Sequence, residues 1–199
     1  MGDVNREYRQ TTRAERAAET RRRIVAAAVE LHRSLGPAAT SLSAVAREAG
    51  VSRPTLYAHF PDEASLFQAC TMHWLSQDPP PDPTAWTQID DPAERVAVAL
   101  GEIYSHYGRN EELIDNVFRD MYVVESMRSF NVPLMEAAFA AMTEVLTTAF
   151  GDDEGRASRR RAVVAVAISF DTWKVLVVRQ GLDERVAVEL MTQLVVAAV

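Results

Sequence analysis

Residues 40–60, TSLSAVAREAGVSRPTLYAHF, decide the fold. Leu42, Val45, Ala46 and Ala49 recur at helical spacing, and Ser41 ahead of them has the hydroxyl that an N-cap uses to accept from unpaired backbone N–H groups. The pattern predicts a helix of about two turns. Gly50 follows the last apolar position, where a left-handed residue ends a helix without a Cβ penalty, and Val51 is placed to fill the angle between two helices. The chain then restarts. Ser52 is a second N-cap, Pro54 lies in a first turn where its missing N–H costs little, and Leu56 with Phe60 supplies a buried face. Arg53, Thr55, Tyr57 and His59 are left on the outer face.

Two short helices joined by a tight turn have the helix-turn-helix geometry, in which the second helix enters the DNA major groove. Arg53 suits a bidentate contact to guanine, Thr55 a methyl contact to thymine or a phosphate bond, and Tyr57 and His59 the DNA backbone. With the turn residues, the candidate DNA-contacting set is Ser41, Ser52, Arg53, Pro54, Thr55, Tyr57 and His59. The plainer alternative is a helical hairpin in a core, with Tyr57 and His59 as ordinary surface residues.

The segment AGVSRPTLYAHF, residues 49–60, resembles the recognition segment of the TetR family of bacterial transcriptional regulators. Residues 21–42, RRRIVAAAVELHRSLGPAATSL, are similar to that family's first helix and its exit through a glycine, here Gly36, into Thr40 and Ser41. Residues 60–69, FPDEASLFQA, match the opening of its fourth helix. The likeness is specific over about the first third of the chain and weak beyond. His32 and Pro37 stand where an aromatic is usual, and Glu63 stands where the family commonly has a phosphate-contacting lysine. An acid suits a helix N-terminus but repels DNA. The resemblance implies a small-molecule pocket in the body and a two-fold dimer.

A chain of 199 residues, 48% hydrophobic, is large enough for a small DNA-binding part and a larger second part. The single Cys70 excludes an internal disulfide, no run reaches the length of an uncharged membrane helix, and MGDVNREYRQ lacks an apolar signal core. A cytoplasmic protein with no membrane partner is expected. The net charge of −7 is divided unevenly. Residues 1–61 hold 10 Arg and 6 acids, a balance of +4, and the remainder carries −11. A basic end on an acidic body presents one end to phosphate, as a site-specific binder does.

Residues 1–12 read as a mobile arm in which Arg6, Arg9 and nearby Arg13 are either solvated charge or contacts to a neighbouring groove. Thr12 and Glu15 have capping-box spacing, which predicts a first helix from there to Leu35, with Ile24, Ala27, Ala28, Leu31 and Leu35 as its buried stripe. Arg21 to Arg23 read as its wet face or as flanks to DNA. Asp62 caps a linking helix over 62–75, and the proline-rich stretch 76–90 reads as irregular linker. The predicted organisation is a helix-turn-helix domain over 1–61 and a helical ligand-binding and dimerisation domain over 91–199, all-α throughout.

In the body, Asp91 caps a helix lined by Val96, Leu100, Ile103, Tyr104 and Tyr107, in which Gly101 suggests close approach of a helix or ligand. Residues 111–130 form a second helix, with a break before Asn131 and Pro133, and residues 132–151 a third, with Met135, Phe139, Met142, Leu146 and Phe150 along one side. Tyr104, Tyr107, Phe118, Met121, Tyr122, Phe139, Met142 and Trp173 read either as core or as the walls of a pocket for an apolar or amphipathic molecule. GDDEG, residues 151–155, lacks the length of a calcium loop and reads as a solvated turn. Arg156 to Val178 and Glu184 to Val199 are apolar on nearly every side. One body cannot cover both, so Val166, Phe170, Val177, Leu190 and Leu194 are assigned to a four-helix interface with a second copy. Asp171 within the first of these reads as a partner of Lys174 or as a ligand anchor.

No nucleophile elbow, phosphate loop or HExxH is present, and His32, His59, His73 and His106 are scattered without metal-ligand spacing. No metal, no cofactor and no catalysis are expected. The sequence points to a homodimeric, ligand-responsive regulator on a near-palindromic double-stranded operator, a repressor in its simplest form. The rival is a dimeric small-molecule binding protein whose DNA contacts have decayed, as Glu63 would suit.

Overall fold

The computed structural model describes residues 2–151 and 154–198, and every regular element among them is helical. In chain order these are α1 (Gly2–Ser34), a 3-10 turn (Pro37–Ala39), α2 (Leu42–Glu48), α3 (Arg53–His59), α4 (Glu63–Gln77), α5 (Pro83–Trp86), α6 (Pro92–Arg109), α7 (Glu111–Asp120), α8 (Glu125–Thr148), α9 (Glu154–Ala167), α10 (Phe170–Trp173) with a π-helical continuation (Lys174–Arg179), and α11 (Glu184–Ala197). Contacts divide the chain into two units, residues 1–78 with 112–132 and residues 79–111 with 133–199. None of the described helices is long and apolar enough to cross a membrane.

In the first unit α1 lies against α2 and α4, and its Ile24, Val25 and Ala28 pack with Val45, Ala46, Leu56, Phe60, Leu66 and Cys70. The start expected at Thr12 is not a start, because the helix is continuous from Gly2 through a stretch with no internal glycine or proline to stop it. The arm is therefore helical; the side chains of Arg6 and Arg9 lie outside the described part. Leu35 is also corrected: α1 ends at Ser34, and Leu35 is 52% exposed. His32 takes the buried place instead, stacked on Phe67 with ring centroids 5.0 Å apart.

The exit of α1 is fastened to α7. Gly36 adopts φ +90, a left-handed conformation that favours glycine, and a Cβ there would overlap the Arg119 guanidinium and come within 2.8 Å of Asp120 Oδ2. The Asp120 carboxylate is buried, accepts the Ala38 N–H at 2.9 Å and pairs with Arg119, while Asn116 donates to the Arg33 carbonyl at 2.6 Å. The Arg119 guanidinium holds the Asp120 carboxyl below the ordinary aspartate range, outweighing its burial. Burial pushes the His32 imidazole down to about 4, against the smaller upward pull of Asp120.

The break expected before Asn131 and Pro133 falls elsewhere. The chain turns at residues 121–124, where the Asp120 carbonyl accepts both the Val123 and Val124 N–H groups, and α8 continues through Pro133 with one rung lost.

In the second unit α11 runs along α6, α9 packs on α11, and α10 lies against α6 and α9. The proline-rich stretch is less irregular than expected: Asp82 caps α5, and Trp86, 1% exposed, donates its indole N–H to Glu102 at 2.8 Å. The long helix expected over 156–178 is interrupted after Ala167. Ser169 caps a new start by accepting from the Thr172 N–H, and the carbonyls of Ala167 and Ile168 accept the hydroxyls of Tyr104 at 2.9 Å and Tyr107 at 2.6 Å. Of the GDDEG turn, Asp152 and Asp153 lie outside the described residues, and α9 already begins at Glu154. Nothing lies within 4 Å of a Cβ built on Gly101, so close helix approach does not explain that glycine.

Candidate nucleic-acid interface

The geometry of α2 and α3 follows from local chemistry. Ser41 Oγ accepts the Ala44 N–H and Ser52 Oγ the Thr55 N–H, each at 3.2 Å. Between the two starts Gly50 takes φ +64, and the Val51 N–H returns to the Ala46 carbonyl at 2.9 Å. Leu56 and Phe60 are fully buried beneath α3. Helix propensity alone would not hold a seven-residue helix, so its order comes from these caps and this burial.

Arg53, Pro54 and Tyr57 share the exposed face of α3, and the Arg53 guanidinium stands 6.0 Å from the centre of the Tyr57 ring. Thr55 is turned partly inward, its Oγ1 2.7 Å from Ser52 Oγ. His59 is half-buried at the C-terminal end. Ser41 and Ser52 act first as caps. Glu63 is exposed in the first turn of α4, behind the Asp62 N-cap. Backbone and side-chain bonds from Ser65 hold the Asp62 carboxyl below the ordinary range.

One residue was hidden in the Arg21–Arg23 run. Arg21 donates to the His59 carbonyl at 3.0 Å, and its guanidinium lies 4.2 Å above the centre of the Phe60 ring. Arg22, its neighbour, pairs with Glu19 on the wet face. Nothing in the run itself separates the two; only the arrival of α3 does.

The eight residues read as core or pocket walls are shared between the units. Tyr104 and Tyr107 are buried, and their hydroxyls already donate to backbone carbonyls, so they do not offer the free polar handles expected of them. Burial raises both phenols well above their ordinary value. Trp173 is 2% exposed against Phe170 and Tyr107, and its buried indole nitrogen has no hydrogen-bond partner among the described residues. Met142 is buried and Phe139 half-buried in the same unit. In the first unit Met121 is buried, Phe118 half-buried and Tyr122 exposed.

That unit also holds a cavity of about 40 Å³, lined by His32, Phe67, Cys70, Thr71, Met127 and Asn131 among others. Its size suits water molecules, not a long-chain ligand. Burial pushes the Cys70 thiol up to about 12, so it behaves as a small apolar group.

Of the residues assigned to a second copy, Val166, Leu190 and Leu194 are exposed and Val177 is partly so, and Val175, Val178, Val186 and Val196 join them on the surface. Phe170 differs: it is 3% exposed, taken up by Tyr107 and Trp173 of its own protomer. Asp171 is exposed in the first turn of α10, so the premise of a buried acid fails; the Lys174 ammonium stands 6.0 Å over the Phe170 ring.

Comparison with known proteins agrees with this geometry. Residues 24–70 match the model of the bacterial regulatory proteins of the tetR family, a span that holds the end of α1, both helices of the motif and the start of α4. The chain is 26% identical over 157 residues, 77% of its length and 70% of the relative's, to the HTH-type transcriptional activator FasR of Mycolicibacterium smegmatis. Its fold is shared with NalD, the secondary repressor of the MexAB-OprM multidrug efflux pump in Pseudomonas aeruginosa, at a TM-score of 0.62 and 22% identity over 92% of this chain and 97% of that one. It is shared equally with FadR from Bacillus subtilis in complex with stearoyl-CoA, at a TM-score of 0.62 and 17% identity over 89% and 98%. Residues 24–70, in which the capped, two-turn α3 presents arginine and tyrosine above a buried leucine and phenylalanine, thus carry the DNA-binding domain of the tetR family of bacterial regulatory proteins, and the chain is similar over most of its length to TetR-family transcriptional regulators.

Proposed function

We propose that this regulator acts as a homodimer on a near-palindromic operator, and that a small apolar or amphipathic molecule releases it. The observation that carries the reading is the exposed face of α3, with Arg53 and Tyr57 raised on buried Leu56 and Phe60. Two such helices, one per subunit, would read successive major grooves about 34–36 Å apart or somewhat more. Arg53→Ala is expected to cost about 1–3 kcal/mol of operator binding and to relax base preference at one position.

The dimer is supported by the exposed valines and leucines of α9 and α11, a patch of apolar surface that water does not favour. An apolar ligand is supported by the stearoyl-CoA bound to FadR, whose fold this chain shares. Within the second unit Trp173 is the wall residue best suited to orient it, because its buried indole N–H has no partner. By linkage, a ligand that weakens DNA binding must itself bind less tightly to the DNA-bound protein by the same factor. Repression is the simpler mode, although FasR is an activator; operator position, not α3, sets the sign.

The test begins with the DNA complex and adds stearoyl-CoA and shorter acyl-CoA esters while fluorescence anisotropy reports bound DNA. Release that depends on acyl length supports the reading. Retention of DNA with every ester removes the acyl ligand from it.

A further inference from the structure

We infer that Arg21 of α1 is a positioning residue for sequence recognition, which sets the pose of α3 without touching DNA. The inference rests on α3 as the recognition helix. A helix this short leaves its last carbonyls without internal partners, and a cation beside them also opposes the negative end of the helix dipole. The N-terminal end of α3 is fixed by Ser52 and its middle by Leu56. The C-terminal end is fixed from 38 residues away: Arg21 donates to the carbonyl of His59, the last residue of α3, and its guanidinium carbon stands 4.2 Å over the centre of the Phe60 ring.

Arginine does both at once because its planar guanidinium stacks through its face and donates through its edge; a lysine ammonium has no such plane. The consequence concerns specificity more than affinity. Base-edge bonds are bidentate and tolerate small misplacements poorly, whereas phosphate contacts tolerate a tilt. Loosening one end of α3 thus degrades discrimination between sequences before it degrades attraction to DNA. Arg22 is the internal control: it carries the same charge one position on, is engaged with Glu19, and does not reach α3.

The experiment compares the full-length protein with Arg21→Met, Arg21→Lys and Arg22→Ala on an operator fragment and a scrambled duplex at several salt concentrations, with amide hydrogen exchange of free protein in parallel. Expected is a loss of about tenfold in the ratio of specific to nonspecific affinity for both Arg21 variants, with nonspecific affinity and salt slope unchanged. The Phe60 amide, which bonds the Leu56 carbonyl, exchanges faster in Arg21→Met, and Arg22→Ala behaves as wild type. Equal losses on both duplexes, a salt slope reduced by about 0.9 and rescue by Arg21→Lys would identify a phosphate contact and overturn the inference. Unchanged exchange at Phe60 in Arg21→Met overturns the clamp whatever the DNA results. A wild-type protein that prefers no duplex defeats the recognition reading instead, and is distinguished by that control.

Discussion

The helix break at Gly50 and the break at Ile168 do the same mechanical work by opposite means. At the first, a left-handed glycine, a serine cap and a first-turn proline lie within five residues of one another. At the second, Ser169 supplies the local cap, but the two carbonyls left over are satisfied by Tyr104 and Tyr107, more than sixty positions earlier in the chain. Locally encoded geometry survives changes elsewhere in the protein. Geometry completed by distant hydroxyls depends on the whole unit, and this difference separates the helix-turn-helix of the first unit from the helices of the second.

The largest way to break the contrast is at the tyrosines. Replacing both Tyr104 and Tyr107 by Phe leaves two buried carbonyls unsatisfied and is expected to destabilise the protein by about 2–5 kcal/mol in urea unfolding. Tyr57→Phe, on exposed α3, is expected to change stability by less than about 0.5 kcal/mol. Equal effects at the two sites would erase the distinction.

His32 gives the next effect, read as pH dependence. Its folded value of about 4 lies below the ordinary 6.5, so between those values the unfolded chain binds the proton and the native state does not. Stability is therefore level above about pH 6.5 and falls as pH drops toward 4, by up to about 3 kcal/mol. The depressed Asp120 extends the loss to more acid pH, because a carboxylate held below its ordinary range loses its contribution once it is protonated. His32→Phe keeps the stack on Phe67 and is expected to flatten the upper part of the profile while the Asp120 part remains.

Gly36 and Gly50 sharpen the contrast further. Both have positive φ, but a Cβ at Gly36 meets Asp120 and Arg119 whereas one at Gly50 meets nothing. Gly36→Ala is expected to cost about 2–3 kcal/mol and Gly50→Ala about 1–2 kcal/mol, from backbone strain alone in the second case. The smallest effects belong to the caps. Ser52→Ala and Ser169→Ala should each cost about 1 kcal/mol, because local capping is alike at the two breaks; a much larger loss at Ser169 would show that the tyrosine bonds depend on that cap.

What was legible in the sequence follows the same division. The two helices of the motif, their caps, the turn glycine and the buried pair Leu56 and Phe60 were readable because each signal lies within a few residues of its effect. The interruption at Ile168 was not, since its cause lies on α6. Apolar periodicity does not say which neighbour covers a face, so the sequence alone points Phe170 to a second copy; in the structure Tyr107 and Trp173 cover it. Pro133 was read as a stop, yet a helix tolerates one missing rung. Arg21 was invisible for the same reason as the tyrosines: three consecutive arginines differ only in what folds against them.

Whether α3 reads bases is decided by fluorescence-anisotropy titration of the protein against labelled fragments of the DNA flanking its own gene, with a nonspecific duplex alongside, at two salt concentrations. Tight binding to one fragment, well above the nonspecific control, with affinity falling steeply as salt rises, is expected. Equal, weak binding to every fragment and to the control would contradict it, and would favour the rival in which the fold is kept and DNA reading has been lost.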